Sequence, residues 1–398
     1  MTISSDAKEK SPDSLLLTRG PVVGPSHRGL VPQPEKPAAW KVRPRLGVQC
    51  TTIDPASDDR WEALVQRHPR ASVFHSTAWL TALQQTYGYR PFAYVTFPEM
   101  GDLRGGMIFC PIESWLTGRR LVSLPFSDHC EPLIDDPKDL QLISTRLRWQ
   151  LALDKWRYVE MRTLDAPPMV GFERKTLPAC TWHRIDLRPE LSAIFSSFHK
   201  SSTQRKIRRA EREELIYKES SGIALLDPFY RLFTATRRRH HVPPQPKNWF
   251  RSLAMAFGGL LKIRVAFRGS QPIAAMLTIR HKDTMVYKYG GSDPKFNALG
   301  GMHLLFWQTI REAKSLGLRS FDLGRSDVDQ PGLATFKRRW GAVESSLVYG
   351  RYHLASNPSL ESKPAENGWE TRIAKAVLKH VPAWSLSMMG GILYKHVG

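Results

Sequence analysis

Residues 287–301 read YKYGGSDPKFNALGG and residues 321–342 read FDLGRSDVDQPGLATFKRRWGA. Between them Met302–Leu316 carries Leu304, Leu305, Ile310 and Ala313 at helical spacing, with Gly317 well placed to end the helix. The whole spells strand, glycine-containing loop, helix, strand and loop. A loop of that kind feeding a helix makes an anion site. Unpaired backbone N–H groups and the positive end of the helix dipole point to the same place. Gly300 and Gly301 suit close backbone approach there, although such glycines can also serve only to shape a long turn. Asp322 falls at the end of the following strand, where loops converge on ligands in α/β arrangements. A carboxylate in that position can orient an incoming amine. Lys337 beyond it can neutralise charge developing on a carbonyl oxygen or hold a phosphate. The plainer alternative makes Asp322 a turn cap and Lys337 a surface lysine. Tyr289, beside Gly290, is a candidate proton donor to a leaving group.

Working outward, the second half begins near Leu191. Helical patterns span Leu191–Tyr217, Pro228–Arg239 and Trp249–Phe257, followed by strand-like Leu260–Phe267, Ile273–Ile279 and Met285–Tyr289. Ser320–Leu323 is the next strand, and Val343–His353 supplies a closing pair of strands. The first half has a comparable order. Helical spacing at Trp61, Leu64 and Val65 and at Trp79, Leu80 and Leu83 precedes strands Phe92–Phe97, Met107–Ile112 and Leu121–Leu124. A helix at Leu140–Leu153 and a strand at Tyr158–Met161 follow. Each half thus reads as helices, an antiparallel meander, then strand, loop, helix, strand. The repeat is one of fold rather than of sequence.

At 398 residues the chain has room for two domains and tails, and 58 Lys+Arg against 37 Asp+Glu leave it at +21. Such a balance favours anionic partners. Arg205, Arg208, Arg209 and Arg212 recur at i, i+3, i+4 and i+7 and share a face, while Ile207 and Ala210 point elsewhere. A guanidinium stripe suits bidentate phosphate binding. Glu211, Glu213 and Glu214 cluster at the far end, so the stripe itself is expected to stay unneutralised. The competing reading is a solvated helix face.

Cys50, Cys110, Cys130 and Cys180 lie far apart without metal-ligand spacing, and reduced thiols are the simpler reading. His129 and Cys130 are adjacent, so a strand would send them to opposite faces. His240 and His241 lack a third ligand, so no metal is expected. Without a membrane-spanning apolar run, the chain is placed in the cytoplasm. Residues 1–43, rich in Pro, Ser and Lys, read as a disordered tail. Within 356–398, Thr371–Val397 mixes Ile373, Val377, Leu378 and Trp384 with Arg372, Lys375 and Lys379. This basic amphipathic segment either packs back on its own domain or lies on the inner face of an anionic membrane.

The pairing of FDLG with GLxxFKxxWG resembles the FemAB/FemX peptidyltransferases and related bacterial acetyltransferase-like proteins, tandem members of the GNAT fold. The resemblance extends to Ser201–Ala210 (SSTQRKIRRA), Phe74–Trp79 (FHSTAW) and Leu124–Asp128 (LPFSD), and covers about Asp54–Tyr352. It implies an α/β (α+β) fold of two tandem GNAT-like domains, each a mixed, mainly antiparallel sheet flanked by helices. The domain over 44–188 would lack a cofactor loop, since Pro125–Cys130 holds no glycine, and would build one wall of the substrate cleft. The domain over 189–355 would be catalytic. The implied reaction moves an acyl group to an amine or hydroxyl of a phosphate-bearing cell-envelope, polysaccharide or lipid-linked precursor. The donor would be acyl-CoA in the acetyltransferase branch and aminoacyl-tRNA in the FemX branch. The resemblance sets Lys337 near the transfer site and the Arg205–Arg209 helix near substrate phosphates. On that footing Lys337 stabilises the oxyanion and Asp322 orients the nucleophile. Arg205, Arg208 and Arg209 hold phosphate, and Asn297, Gly300 and Gly301 hold the donor. Asn297–Gly301 is a degenerate form of the GNAT pyrophosphate loop, so acyltransferase is a safer description than acetyltransferase. A non-catalytic polyanion-binding protein on the same fold is the rival outside enzymes.

Overall fold

The computed structural model describes residues 48–98, 101–114, 118–178 and 180–355, together with Tyr394 and His396. The expected tail over 1–43 and nearly all of 356–398 lie outside the described residues.

In the first half, β1 (Gln49–Ile53) leads into α1 (Asp59–Arg67) and α2 (Thr77–Tyr87). The Asp58 carboxylate caps α1, and Ser76 Oγ accepts from the Trp79 N–H to start α2, which Gly88 ends at φ +71°. A meander of β2 (Phe92–Phe97), β3 (Gly105–Ser114) and β4 (Gly118–Val122) follows. Asp136 caps α3 (Pro137–Leu153), whose chain returns as β5 (Val159–Thr163), parallel to β4. Then come β6 (Phe172–Thr176) and β7 (Cys180–Asp186).

The second half repeats the plan. After α4 (Leu191–Ser197), α5 (Arg205–Arg212), β8 (Ile216–Ser220), α6 (Leu226–Arg239) and α7 (Lys247–Phe257) come β9 (Leu261–Arg268), β10 (Gln271–His281) and β11 (Thr284–Ser292). Helix α8 (Gly301–Ser315) returns the chain to β12 (Ser320–Asp327), parallel to β11. Last are α9 (Pro331–Arg338) and β13 (Val343–Leu354).

All these strands form one sheet, in the order β1-β2-β3-β4-β5-β13-β7-β12-β11-β10-β9-β8, with β6 also on β13. The expected closing pair of strands at 343–353 is instead the single long strand β13. Its first residues pair with β7 and its last with β5 on one edge and β6 on the other. Since β7 also pairs with β12, the two half-sheets are joined by main-chain hydrogen bonds. The expected continuous helix over Leu191–Tyr217 is broken. A turn of π-helix at Lys200–Gln204 separates α4 from α5, Glu214 takes φ +50°, and Tyr217 lies in β8, paired with Ala266 of β9.

Apolar residues of both halves merge into one core. Trp79 of α2 meets Trp249 of α7 edge-on at 5.2 Å, and Leu83, Val95, Phe250, Leu277 and Tyr289 belong to the same cluster. On the opposite face, α3 covers the first half through Ile143, Leu147 and Leu151. There α5 and α8 cover the second through Ile207, Leu305 and Ile310.

Candidate active site

Strands β11 and β12 pair only at Thr284–Val286 with Ser320–Asp322, and the ladder ends there. The residues just beyond bring buried charged side chains together. In β12, Gly324 has φ +71°, and a Cβ there would stand 3.0 Å from Asp128 Oδ2. A glycine follows Asp-Leu because the backbone turns left-handed beneath a carboxylate brought from the first half. In β11, the register shifts so that Leu277 faces Tyr289 and Thr278 faces Tyr287, leaving Lys288 as the extra residue of a bulge. Tyr287 and Tyr289 would share a face in a regular strand. The bulge separates them: Tyr287 packs on Phe306 of α8 at 4.9 Å, and Tyr289 on Phe250 of α7 at 5.1 Å.

The bulged Lys288 reaches across the core to Asp128, Nζ to Oδ1 at 2.9 Å, with side chains 6% and 16% exposed. Its ammonium also lies 4.7 Å from the Phe74 ring and 5.6 Å from that of Trp79. Burial alone would raise the Asp128 pKa, but Lys288, Arg325 and Lys337 outweigh it and hold the carboxyl below its ordinary range. The Tyr349 hydroxyl donates to the Asp128 carbonyl oxygen and receives Arg325 Nη1 at 3.2 Å.

Asp322 is buried, and its Oδ1 accepts from Trp182 Nε1 at 2.6 Å and from the Gly324 N–H at 2.7 Å. Burial first, and the Asp128 charge second, push its pKa up to about 6. Lys337 of α9 is also buried, and its Nζ donates to the carbonyl oxygens of Gly324 at 2.8 Å and Arg325 at 2.7 Å. Burial pulls its pKa down to about 8, against the neighbouring Asp128 and Asp322. Thus the two residues singled out by sequence hold the N–H and the carbonyl oxygen of one residue, Gly324. The structure adds Asp128, Lys288, Arg325, Tyr349 and Trp182 around them. Only LPFSD, quoted for its resemblance, hinted at Asp128.

Tyr289 is placed elsewhere. Its hydroxyl accepts from Trp249 Nε1 at 2.9 Å among Phe233 and Phe250, and burial raises its pKa far above a usable range. The geometry therefore does not bring it together with Asp322 and Lys337. Cys130 lies 3.3 Å from His75 Nε2 rather than beside a working His129. Burial drives that thiol well up and pushes the imidazole down to about 3, so the pair stays neutral.

Asp322 lines a cavity of about 330 Å³ with Phe74, His129, Glu131, Trp182 and Arg184, facing the first half. A second cavity of about 420 Å³ shares Arg184, His281 and Ser320 with it and adds Arg188 and Arg319. Glu131 and His129 are buried there, with pKa values pushed to about 7 and about 4.

The start of α8 lies on the other face. Asp293 caps a turn of 3₁₀-helix over Pro294–Leu299, accepting from the Lys295 N–H at 3.0 Å. Asn297 Oδ1 accepts from Ser292 Oγ at 3.0 Å. Gly300 has φ +81°, and a Cβ would collide with the Lys206 carbonyl oxygen, so α5 rests directly on the loop. Cavities of about 350 and 220 Å³ flank this helix start, and Lys206, His303 and Phe336 line both. Arg205, Arg208 and Arg209 are exposed and line neither. Nor is their stripe wholly unneutralised, because Arg209 Nε pairs with Glu213 at 3.2 Å.

Among the described residues no group of three or more His, Cys, Asp or Glu is placed to hold a metal ion. Nor is any of their helices long and apolar enough to cross a membrane. Within the C-terminal segment, Tyr394 packs on Phe126 at 5.5 Å and its hydroxyl donates to the Pro243 carbonyl oxygen at 2.7 Å.

Residues 197–338 match the family described as Acetyltransferase (GNAT) domain. The FemX crystal structure is similar to this chain with a TM-score of 0.61 at 12% identity, covering 75% of this chain and 96% of its own. A conserved protein of unknown function from Bacteroides thetaiotaomicron VPI-5482 gives 0.52 at 12% identity, over 77% and 99%. No curated protein matches the chain in sequence. Residues 197–338 thus match the GNAT acetyltransferase domain, and the chain around them has a tandem fold like that of FemX.

Proposed function

We propose that the chain moves an acyl group from acyl-CoA, bound at the start of α8, to an amine or hydroxyl of a phosphate-bearing acceptor in the cleft over Asp322. The observation that carries this reading is the seating of Asp322 and Lys337 on either side of Gly324, where β11 and β12 cease to pair. The residues at the helix start fit the donor. Gly300 leaves the backbone bare, the first N–H groups of α8 are oriented for an anion, and Lys206 supplies a cation beside them. Lys206 and Arg339 are better placed for donor phosphates than Arg205, Arg208 and Arg209, which are left as contacts at the outer edge of that face.

The donor would supply a thioester carbonyl. Its C–S bond breaks as the new C–N or C–O bond forms, so that coenzyme A leaves as the thiolate and takes up the proton given by the nucleophile. Asp322, with a pKa near neutrality, orients the nucleophile and takes its proton. Lys337 has three N–H groups, two of them held by Gly324 and Arg325, and the third is available to the oxyanion. We assign 189–355 the chemistry and 44–188 the far wall of the acceptor cleft, with the acceptor a cell-envelope, polysaccharide or lipid-linked precursor at the cytoplasmic side.

Thermal-shift titration tests the donor assignment with acyl-CoAs, aminoacyl-tRNA and bulk RNA as separate ligands. Stabilisation by acyl-CoA that Lys206→Ala weakens and Lys337→Ala leaves intact supports it. Equal stabilisation by every polyanion would instead mark a non-catalytic binding protein.

A further inference from the structure

Helix α3 buries Ile143, Leu147 and Leu151, yet carries a second apolar face. Leu142, Trp149 and Leu153 stand at i, i+7 and i+11 and are 40%, 54% and 59% exposed. Val170 is 53% exposed on a loop that lies against the same helix, where Arg148 packs over Gly171. Scattered exposed apolar residues need no explanation, but a helix face holding a tryptophan and two leucines does.

Cations line its edge. Lys138 and Arg146 lie on the exposed face, the Arg146 guanidinium 5.1 Å from the Trp149 ring. Arg148 and Lys155 flank it. The nearby carboxylates are engaged elsewhere: Asp136 and Asp139 pair with Arg104 at 2.9 and 3.0 Å, and Asp154 accepts from Gln150 and Trp156. A face of tryptophan and leucine edged with unopposed cations complements an anionic interface. Its rings enter the headgroup layer while lysine and arginine meet lipid phosphates.

We propose that the exposed face of α3 docks this protein on an anionic phospholipid surface. The inference is independent of the acyl-transfer reading and of the C-terminal segment, since neither supplies any of its residues.

The test is flotation of the full chain with phosphatidylcholine vesicles, with and without phosphatidylglycerol. The wild type is expected to bind only the anionic vesicles. The variant carrying Trp149→Ser and Leu153→Ser should lose about tenfold or more in partitioning. Arg146→Gln with Lys138→Gln should also weaken binding. Met255→Ser, at a 70% exposed methionine of α7, should bind as wild type. An unchanged unfolding midpoint shows that each variant is folded. Because +21 of net charge attracts anionic vesicles by itself, binding that survives both apolar replacements overturns the proposal. So does a wild type that ignores phosphatidylglycerol. So too does a dimer that Trp149→Ser and Leu153→Ser dissociate without loss of vesicle binding, because a second copy then covers the face.

Discussion

Asp322 is held through a single carboxylate oxygen by an indole and a backbone N–H, and it keeps its charge against the fold's own preference. Its pKa rises from 3.8 to about 6. Below about pH 4 the group is protonated in both folded and unfolded states and costs nothing. Between about pH 4 and 6 the unfolded chain ionises while the folded carboxyl still holds its proton, and the fold loses about 3 kcal/mol, fully so above 6. Asp322→Asn is thus expected to stabilise the protein at pH 7 by about 1–3 kcal/mol in urea unfolding, with the gain fading toward pH 4. The same variant should lose about a hundredfold in turnover. Lys337, held near 8, sets the other limit. Steady-state rates should rise as Asp322 loses its proton near 6 and fall as Lys337 loses its own near 8. These two residues were legible because a strand end and a nearby lysine sit in one short stretch. Asp128 and Lys288 were not, because their pairing joins residues 160 apart and no local pattern announces it.

At the scale of elements, glycine geometry and one bulge decide where side chains point. Gly300→Ala should force α5 away from the loop, costing about 1–3 kcal/mol in chemical unfolding and weakening acyl-CoA binding in calorimetry. Most segments could be read from the sequence, since helices α1, α2 and α3 show helical apolar spacing and the central meander strands, covered on both faces, read as apolar runs bounded by Gly and Pro. Leu191–Tyr217 misled because its apolar spacing runs on past Glu214. What makes Ile216–Ser220 a strand is its ladder with β9, a tertiary fact. The separation of Tyr287 from Tyr289 was hidden for a similar reason. A bulge is defined by the partner strand, and the place of Tyr289 beside Gly290 does not reveal it.

For the whole molecule, the sharing of β7 and β13 between the half-sheets predicts a chain that works as one body. Val343–His353 was read as two strands, yet the chain makes no turn there, and one long β13 changes partner from β7 to β5 and β6. The Lys288–Asp128 pair fastens the halves at the site itself. Lys288→Met should cost about 3–5 kcal/mol by stranding a buried carboxylate, and adding Asp128→Asn should recover much of it. A double-mutant cycle in denaturant measures that coupling. On the proposed function, these contacts assemble one transfer site from both halves. Single-turnover transfer from labelled acyl-CoA by Lys337→Ala tests this most directly. A fall of about 10²–10³-fold with acyl-CoA binding unchanged is the predicted result, and turnover equal to that of the wild type would contradict the account.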